Sequence, residues 1–382
     1  MAAHVLHVFS TFAAGGPQVR TARLLAGLGP AWRHGVLALD GVTDARTILP
    51  EGIDVTVLEP LRRAGTWTTV RGVRALARRL SPDLVCTYNW GAIEAVWAAR
   101  SLGLAVLHHE DGFRPDELGG FKRRRVWARR LSLRRVQGVV VPSHTLRTIA
   151  RERWHLPPER LHLVPNGIEL ARFPRADGNP ALRERLAIPP GAFVVGSVGH
   201  LRAEKRPARL VRALAHMQEP AHLLFVGDGP ERESVTAAAR ALGLEARLHL
   251  AGHQTETAPW YRLMDAFAIP SDTEQMPVAL LEAMASGLPV AATDVGDVRR
   301  VLPEATGAHV VALGAGVDER LAAALDALAR SPQTRATLAR AGALRVRERY
   351  TQDEMVRAYE RLYTRAAGLS TPAGNAAGPA RS

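Results

Sequence analysis

Apolar residues along this chain come in short runs closed by Gly, Pro or polar positions, and between them lie segments with apolar residues every three or four positions. The closed runs suit buried strands and the longer period suits helices. Residues 4–10 (HVLHVFS) form the first such strand, Ala13, Ala14, Gly15, Gly16 and Pro17 break it, and 19–28 carries helical spacing. Pro17 falls in the first helical turn, where its missing N–H does no harm. The alternation predicts further strands at 36–39, 55–58, 84–87, 105–108 and 138–141, and helices at 69–80, 93–101 and 121–133. Pro, Asn and Gly interrupt it at 163–173 (LVPNGIELARF), and a polar stretch follows to Pro180. A second series has strands at 193–198, 223–226, 247–250, 266–269, 290–292 and 310–311, with helices at 207–217, 231–242 and 278–286. Helical patterns at 318–329, 333–349 and 352–366 close the chain.

Strands alternating with helices predict α/β architecture, with parallel sheets covered on both faces. Two tandem Rossmann-like, doubly wound domains are expected, at 1–170 and 190–350, joined by a linker at 171–189. A C-terminal helix at 351–366 is a candidate to cross back to the first domain, and 367–382 is expected to be a disordered tail.

Composition narrows the class. With 47% hydrophobic and 23% charged residues the chain can bury a sizeable core, which excludes wholesale disorder and fibrous architectures. No apolar run approaches the ~18 residues of a membrane span. The opening MAAHVLHVFS has no basic region before its apolar run, so secretion is not expected, and a lone cysteine, Cys86, suits a reducing cytosol. A cytoplasmic protein is expected, with the inner face of the membrane as a candidate peripheral location.

The net charge of +13 is unevenly spread. Residues 1–180 hold 26 basic against 15 acidic residues, and 181–382 hold 24 against 22. The excess peaks at 122–135 (KRRRVWARRLSLRR), where eight of fourteen positions are basic and Trp127 is interleaved. Nucleic acid, an anionic membrane surface or a phosphorylated substrate would each explain such a patch.

The densest chemical signal is 270–297, PSDTEQMPVALLEAMASGLPVAATDVGD. Here a strand ends, a polar loop follows and a helix opens near Met276 and Pro277. Loops at the carboxyl ends of parallel strands are where ligands bind in such sheets. A helix N-terminus there offers unpaired N–H groups to a phosphate. Glu274 before the helix and Glu282 within it are carboxylates suited to accept sugar or ribose hydroxyls. The motif of Thr273–Pro277 (TEQMP) followed by Leu281–Val290 (LEAMASGLPV) closely resembles the signature of retaining glycosyltransferases of family 4. Gly15 and Gly16, Val141-Pro142-Ser143, Val164-Pro165-Asn166-Gly167-Ile168, Val198-Gly199-His200-Leu201 with Lys205, and Phe225-Val226-Gly227-Asp228-Gly229-Pro230 resemble further motifs of that family, in the same order.

The resemblance implies the GT-B fold, with an active site in the cleft between the domains. The C-terminal domain would hold a nucleoside-diphosphate sugar (UDP- or GDP-linked), and the N-terminal domain a glycan, lipid-linked or small hydroxylated acceptor. It further implies contact of Glu274 with the donor sugar and of Glu282 with the ribose, while Lys205 meets the diphosphate. Arg normally follows the glycine where this chain has His200, so either His200 or Arg202 is left to partner Lys205. Only two of the 50 basic residues are lysines, Lys122 and Lys205. A chain that otherwise uses Arg has a compact ammonium at 205. His108 is the better match to a family histidine near the transferred sugar, with His109 as the alternative. Gly15 and Gly16 would let a loop approach a ligand, Arg20 is a candidate contact for an acidic acceptor, and His253 is a candidate for the base pocket.

No Asp-x-Asp pair occurs, and no His/Cys/Asp cluster has metal spacing, so no cofactor and no metal are expected. Lys205, a second cation and helix N-termini would then neutralise the leaving diphosphate. Two other classes compete. The same fold hosts nucleotide-sugar epimerases, and the charge invites a nucleic-acid-binding reading. With no recognition module and only 5% aromatic residues for stacking, nucleic acid is not expected as a partner. An anionic membrane meeting residues 122–135 is the remaining partner expectation.

Overall fold

The structure is a computed structural model that describes residues 2–13, 15–61, 65–112, 120, 122–174 and 180–369. Ala14 of the glycine-rich turn, position 121, the polar stretch 175–179 and positions 370–382 of the expected tail lie outside the described residues. The chain divides into two units. The first comprises Met1–Pro142, Arg147–Val164 and the chain from Asp353, and the second Ser143–Leu146 and Pro165–Gln352.

Among the described residues the first unit has a sheet of seven strands: β1 (Ala3–Phe9), β2 (Trp32–Ala38), β3 (Val55–Val57), β4 (Leu84–Tyr88), β5 (Val106–His109), β6 (Gly138–Val141) and β7 (Leu161–Leu163). Their order is β3-β2-β1-β4-β5-β6-β7, with every pair parallel. The second unit has six described strands: β8 (Phe193–Val198), β9 (Ala221–Val226), β10 (Leu248–Leu250), β11 (Ala266–Ile269), β12 (Val290–Thr293) and β13 (Val310–Val311). They run β10-β9-β8-β11-β12-β13, again all parallel. Strands covered on both faces need no polar alternation. All seven residues of β1 are buried accordingly. In each sheet the order reverses beside the first strand of the unit, so a crevice opens at the carboxyl ends of β1 and β4 and of β8 and β11.

Three features depart from the sequence reading. The helix His144–Glu152 and the strand Leu161–Leu163 lie where no element was expected. The helix is short and rich in Thr and Arg, and its first turn is capped by a carboxylate far away in sequence, Asp297. The division falls at Val164 and Pro165, ahead of the expected linker. Ile168 and Phe173 belong to the core of the second unit, and Ile168 exchanges backbone hydrogen bonds with Tyr350 (3.0 Å) and Gln352 (2.9 Å).

The C-terminal helix Gln352–Ala366 packs in the first unit, where Met355, Val356, Tyr359 and Tyr363 share a core with Phe9, Leu24, Trp32 and Tyr88. Its closest approach is at Gly27 of the helix Gly16–Leu28, where an added Cβ would stand 2.5 Å from Val356 Cγ2. In an open helix, Gly→Ala gains up to ~1 kcal/mol. At Gly27 the contact reverses that sign. Gly27→Ala should destabilise the first unit by about 1–3 kcal/mol, and adding Val356→Ala should recover part of the loss. Chemical denaturation of the single and double variants measures this; a stabilising Gly27→Ala would refute the packing.

Candidate active site

In the second unit β8 and β11 are adjacent, with Ala266 beside Val195 and Phe267 beside Gly196. Past their carboxyl ends the chain supplies two loops, one starting at Gly199 and one at Pro270, that wall a pocket. Gly199, His200, Lys205, Ser271, Glu274 and Pro277 line it. At its centre Lys205 Nζ donates to Glu274 Oε1 at 2.7 Å, and Ser271 Oγ donates to the same oxygen at 2.9 Å. The lysine is 35% exposed and the carboxylate 12%, so the pair is reachable from solvent.

Several long-range contacts fix the Glu274 loop. The Asp272 N–H donates to Glu204 O at 2.9 Å, and the Asp272 carboxylate receives Arg206 Nε and, at 2.6 Å, Arg209 Nη2. Burial alone would raise the Asp272 pKa, but the two guanidinium groups outweigh it and hold the carboxyl below its usual range. Arg209, nearly buried, also donates from Nη1 to Pro270 O at 2.5 Å. From the other side Gly296 presses backbone against backbone, at φ +55°, where a Cβ would stand 1.8 Å from Glu274 O. Asp297 donates its N–H to Gln275 O at 3.0 Å, and its carboxylate accepts from the N–H groups of His144 (2.5 Å) and Thr145 (2.9 Å).

The opposite wall rests on a second backbone contact. Gly227, at φ +140°, lies so close that a Cβ would sit 2.0 Å from Gly199 O. The Gly227-Asp228-Gly229 turn thus supports the Gly199–Leu201 loop, with Leu201 N–H donating to Asp228 O at 3.0 Å. Of the two expected partners of Lys205, His200 lines the pocket; Arg202 is exposed and faces Glu204 at 4.0 Å. Burial, Arg202 and His253 lower the His200 pKa, against the opposing pull of Glu204 and Asp228, so the imidazole is neutral at physiological pH. His253 is exposed beyond the end of β10, near enough to His200 to disfavour its charge.

Glu282 occupies the second turn of the helix Val278–Ala285, almost buried, with Oε2 accepting from Tyr261 Oη at 3.0 Å. Pro277 caps that helix and faces the pocket. Met276 lies behind the pocket wall rather than among the residues that line it. Its side chain is buried in the core, its sulfur accepts the Asn166 N–H at 3.2 Å, and its carbonyl accepts from Asn166 Nδ2 at 2.8 Å. Ser271, Asp272, Arg206, Arg209 and Gly296 were absent from the expected set. Ser271, Asp272 and Gly296 lie inside the singled-out segment 270–297, which was their one sequence signal.

In the first unit Gly15 and Gly16 open the helix Gly16–Leu28 beyond β1, and a Cβ on Gly16 would meet nothing within 4 Å. The two histidines at the end of β5 point to opposite faces. His108 is sealed, with Nδ1 against Thr87 Oγ1 at 2.8 Å and Nε2 3.4 Å from Glu110 Oε2. Glu110 is itself held by Arg129 Nε (3.1 Å) and Nη2 (3.2 Å), and the His108, Glu110 and Arg129 side chains are all 0% exposed. Burial would raise the Glu110 pKa, but Arg129 and His108 bring it below the usual carboxylate range. Both His108 ring nitrogens thus face partners in the packed interior. His109 is stacked on Tyr88 (4.5 Å between centroids) and Tyr359 (5.7 Å), with Nδ1 donating to Thr87 O at 3.3 Å and Nε2 buried without a partner. Burial, then Arg20 and His108, push its pKa well down, so the ring is neutral. Arg20, buried, forms a two-point ion pair with Asp111, whose N–H donates to Asn89 Oδ1 at 2.8 Å.

The chain matches two family models, "Glycosyl transferases group 1" over residues 179–345 and "Glycosyl transferase 4-like domain" over 15–167. It is 34% identical over 230 residues to a D-inositol 3-phosphate glycosyltransferase of Thermobispora bispora, covering 56% of this chain and 53% of that protein. It is 33% identical over 197 residues to the lipopolysaccharide core biosynthesis glycosyltransferase LpsD of Rhizobium meliloti, covering 51% and 57%. The matches thus span about half the length of these curated relatives. Among solved structures, Anabaena Alr3699/HepE in complex with UDP-glucose superposes with a TM-score of 0.80 at 20% identity, covering 96% of this chain and 100% of that one. The fold is that of the GT-B glycosyltransferases.

The backbone contact under Glu274 predicts an asymmetry between two glycines. Gly191→Ala carries positive φ (+74°) but no neighbour within 4 Å, so it should cost only the ~1–2 kcal/mol of a left-handed residue. Gly296→Ala adds a clash to that cost and should lower the melting temperature of the second unit clearly further. Equal losses in the two variants would show that the loop is not clamped as described.

Proposed function

The chain belongs to the group 1 glycosyl transferases with a 4-like N-terminal domain, and from that membership we propose that it is a metal-independent retaining hexosyltransferase. It takes a sugar from a nucleoside-diphosphate donor and places it on a hydroxyl of a glycan, lipid-linked sugar or small polyol. The observation that carries this reading is the Lys205–Glu274 pair in a pocket at the switch point of the second sheet. A single ammonium beside a carboxylate suits a ligand with an anion at one end and hydroxyls at the other.

In this reading Lys205 moves from Glu274 to the donor diphosphate, and the freed Glu274 accepts hydroxyl hydrogens of the sugar. Ser271 keeps the carboxylate oriented. The N-terminus of the helix Val278–Ala285, whose N-cap Pro277 lines the pocket, adds positive potential. The acceptor oxygen bonds to the anomeric carbon on the face from which the diphosphate leaves. The bond to the diphosphate breaks, and a departing phosphate oxygen takes the acceptor proton. Fixed positive groups aimed at the growing charge on that phosphate would supply the catalysis. Glu282, steadied by Tyr261, is assigned to the ribose hydroxyls.

UDP-sugars head the donor panel, since the neighbour HepE was solved with UDP-glucose; GDP-sugars come second. In EDTA, one donor should raise the melting temperature and be turned over to a product whose anomeric configuration, read by NMR, matches the donor's. Glu274→Gln should cut kcat by roughly two to three orders of magnitude, the scale for losing an aligned polar group, with nucleotide affinity within a few-fold. Lys205→Ala should weaken donor binding by about 1.5–3 kcal/mol, the range for a charged hydrogen bond. Full turnover by Glu274→Gln, or inverted product, defeats the proposal.

The histidine makes a pH prediction. His200 has a lowered pKa and is uncharged at neutral pH, while Arg202, His253, Glu204 and Asp228 surround it. A bound diphosphate favours the imidazolium, so donor affinity should rise as pH falls toward that pKa. In His200→Gln the rise should be at least halved while affinity at pH ~7.5 barely changes. Titration calorimetry at several pH values reads both, and an identical pH profile in the variant removes His200 from the diphosphate site.

A further inference from the structure

The helix Arg123–Leu133 in the first unit has two unlike faces. Its inner face is fixed. Arg129 is 0% exposed, with its guanidinium 5.2 Å from the Trp90 ring centre and 4.9 Å from that of Trp154, and paired to Glu110. Ser132 Oγ accepts from Trp97 Nε1 at 2.6 Å, and Leu133 is buried. The outer face is therefore held outward with little freedom to turn. It presents Trp127, 58% exposed, and Leu131, 60% exposed, one turn apart. Arg123 and Arg124 lie before them and Arg134 and Arg135 after them, all exposed. Arg130 stacks 5.6 Å from the Trp127 ring centre. The helix contains no acidic residue.

We propose that this face docks the protein on an anionic lipid bilayer. Two large apolar side chains exposed on neighbouring turns of one helix face are costly in water, and Trp is the side chain best suited to the boundary of headgroups and acyl chains. Arginines on either side of the pair match the phosphates of an anionic leaflet. Nucleic acid would satisfy the arginines and leave Trp127 and Leu131 without a partner of their own kind. No described helix is long and apolar enough to cross a membrane, so the contact is peripheral. This inference does not rest on the proposed sugar transfer.

Structure also dictates which residues test it. Arg129 must be left alone, because reversing it would strand Glu110 in the interior and report folding. The chain is sedimented with vesicles of phosphatidylcholine alone or with about 30% phosphatidylglycerol, at low and high salt, alongside melting curves for every variant. The wild type should pellet only with the anionic vesicles, and less at high salt. Arg123→Glu/Arg124→Glu/Arg134→Glu/Arg135→Glu should lower the partition more than about tenfold. Trp127→Ala/Leu131→Ser should lower it about three- to tenfold at low salt with the arginines intact. Wild type that stays in the supernatant, or a Trp127→Ala/Leu131→Ser variant that binds as the wild type does, overturns the proposal. Binding to a DNA duplex, insensitive to the Trp127/Leu131 change and without vesicle binding, would assign the patch to nucleic acid.

Discussion

The site depends on one constraint: a carboxylate and an ammonium must be held 2.7 Å apart on two short strand-to-helix connections, of which the first has a single 3-10 turn, Ala203–Lys205. Loops are held by whatever crosses them, and here the crossing groups are backbone. Gly296 lies against the Glu274 carbonyl, and Gly227 lies against the Gly199 carbonyl. Neither approach leaves room for a Cβ, so side-chain packing cannot replace it. Arg209, reaching both Pro270 O and the Asp272 carboxylate, then locks the loop to the helix Pro207–His216. Position is set from behind, and the front stays open.

The first unit solves a different problem. Its core contains an unusual number of polar rings. His7 meets Tyr88 Oη at 2.9 Å and His34 Nδ1 at 3.1 Å, while Tyr88, His109 and Tyr359 stack in sequence. Such groups are tolerable in an interior only when neutral and mostly bonded. Burial keeps them neutral: it holds His7 and His109 well below the usual histidine range and pushes the Cys86 thiol up to about 12. The C-terminal helix supplies Tyr359 and Tyr363 to this interior, so the last described helix completes the core of the first unit.

How far the sequence was legible follows from what each feature depends on. Parallel strands buried on both faces show as apolar runs, and β6, β8, β11 and β13 lie where those runs predict. The loop and helix start that carry Glu274 were legible because their signals are compressed into a few adjacent residues. Arg209–Asp272 and Asp297–His144 were not, since partners about 60 and 150 positions apart leave no local pattern. Orientation was the other gap. Successive residues of a strand point to opposite faces, so His108 and His109 were bound to differ. Which face was sealed depended on Thr87, Glu110 and Arg129, brought together only by the fold. The charge count misled in the same way, for Arg20, Arg129 and Arg209 are interior residues that add nothing to the surface.

Exposure separates the sealed ion pairs of this protein from those, Lys205–Glu274 among them, that reach solvent. Glu110–Arg129 is sealed and Arg20–Asp111 nearly so. Removing one partner from a pair of that kind costs about 3–5 kcal/mol, because a charge is left buried alone. Lys205–Glu274 has one partner more than a third exposed, and pairs near solvent contribute only about 0–1 kcal/mol. In the proposed transfer, exchanging that contact for a diphosphate and a sugar hydroxyl would therefore sacrifice little stability. A lysine fits the exchange better than the arginine this chain otherwise prefers. Its ammonium is a compact charge on a flexible stem, able to swing between two acceptors, whereas a guanidinium fork would grip the carboxylate at two points.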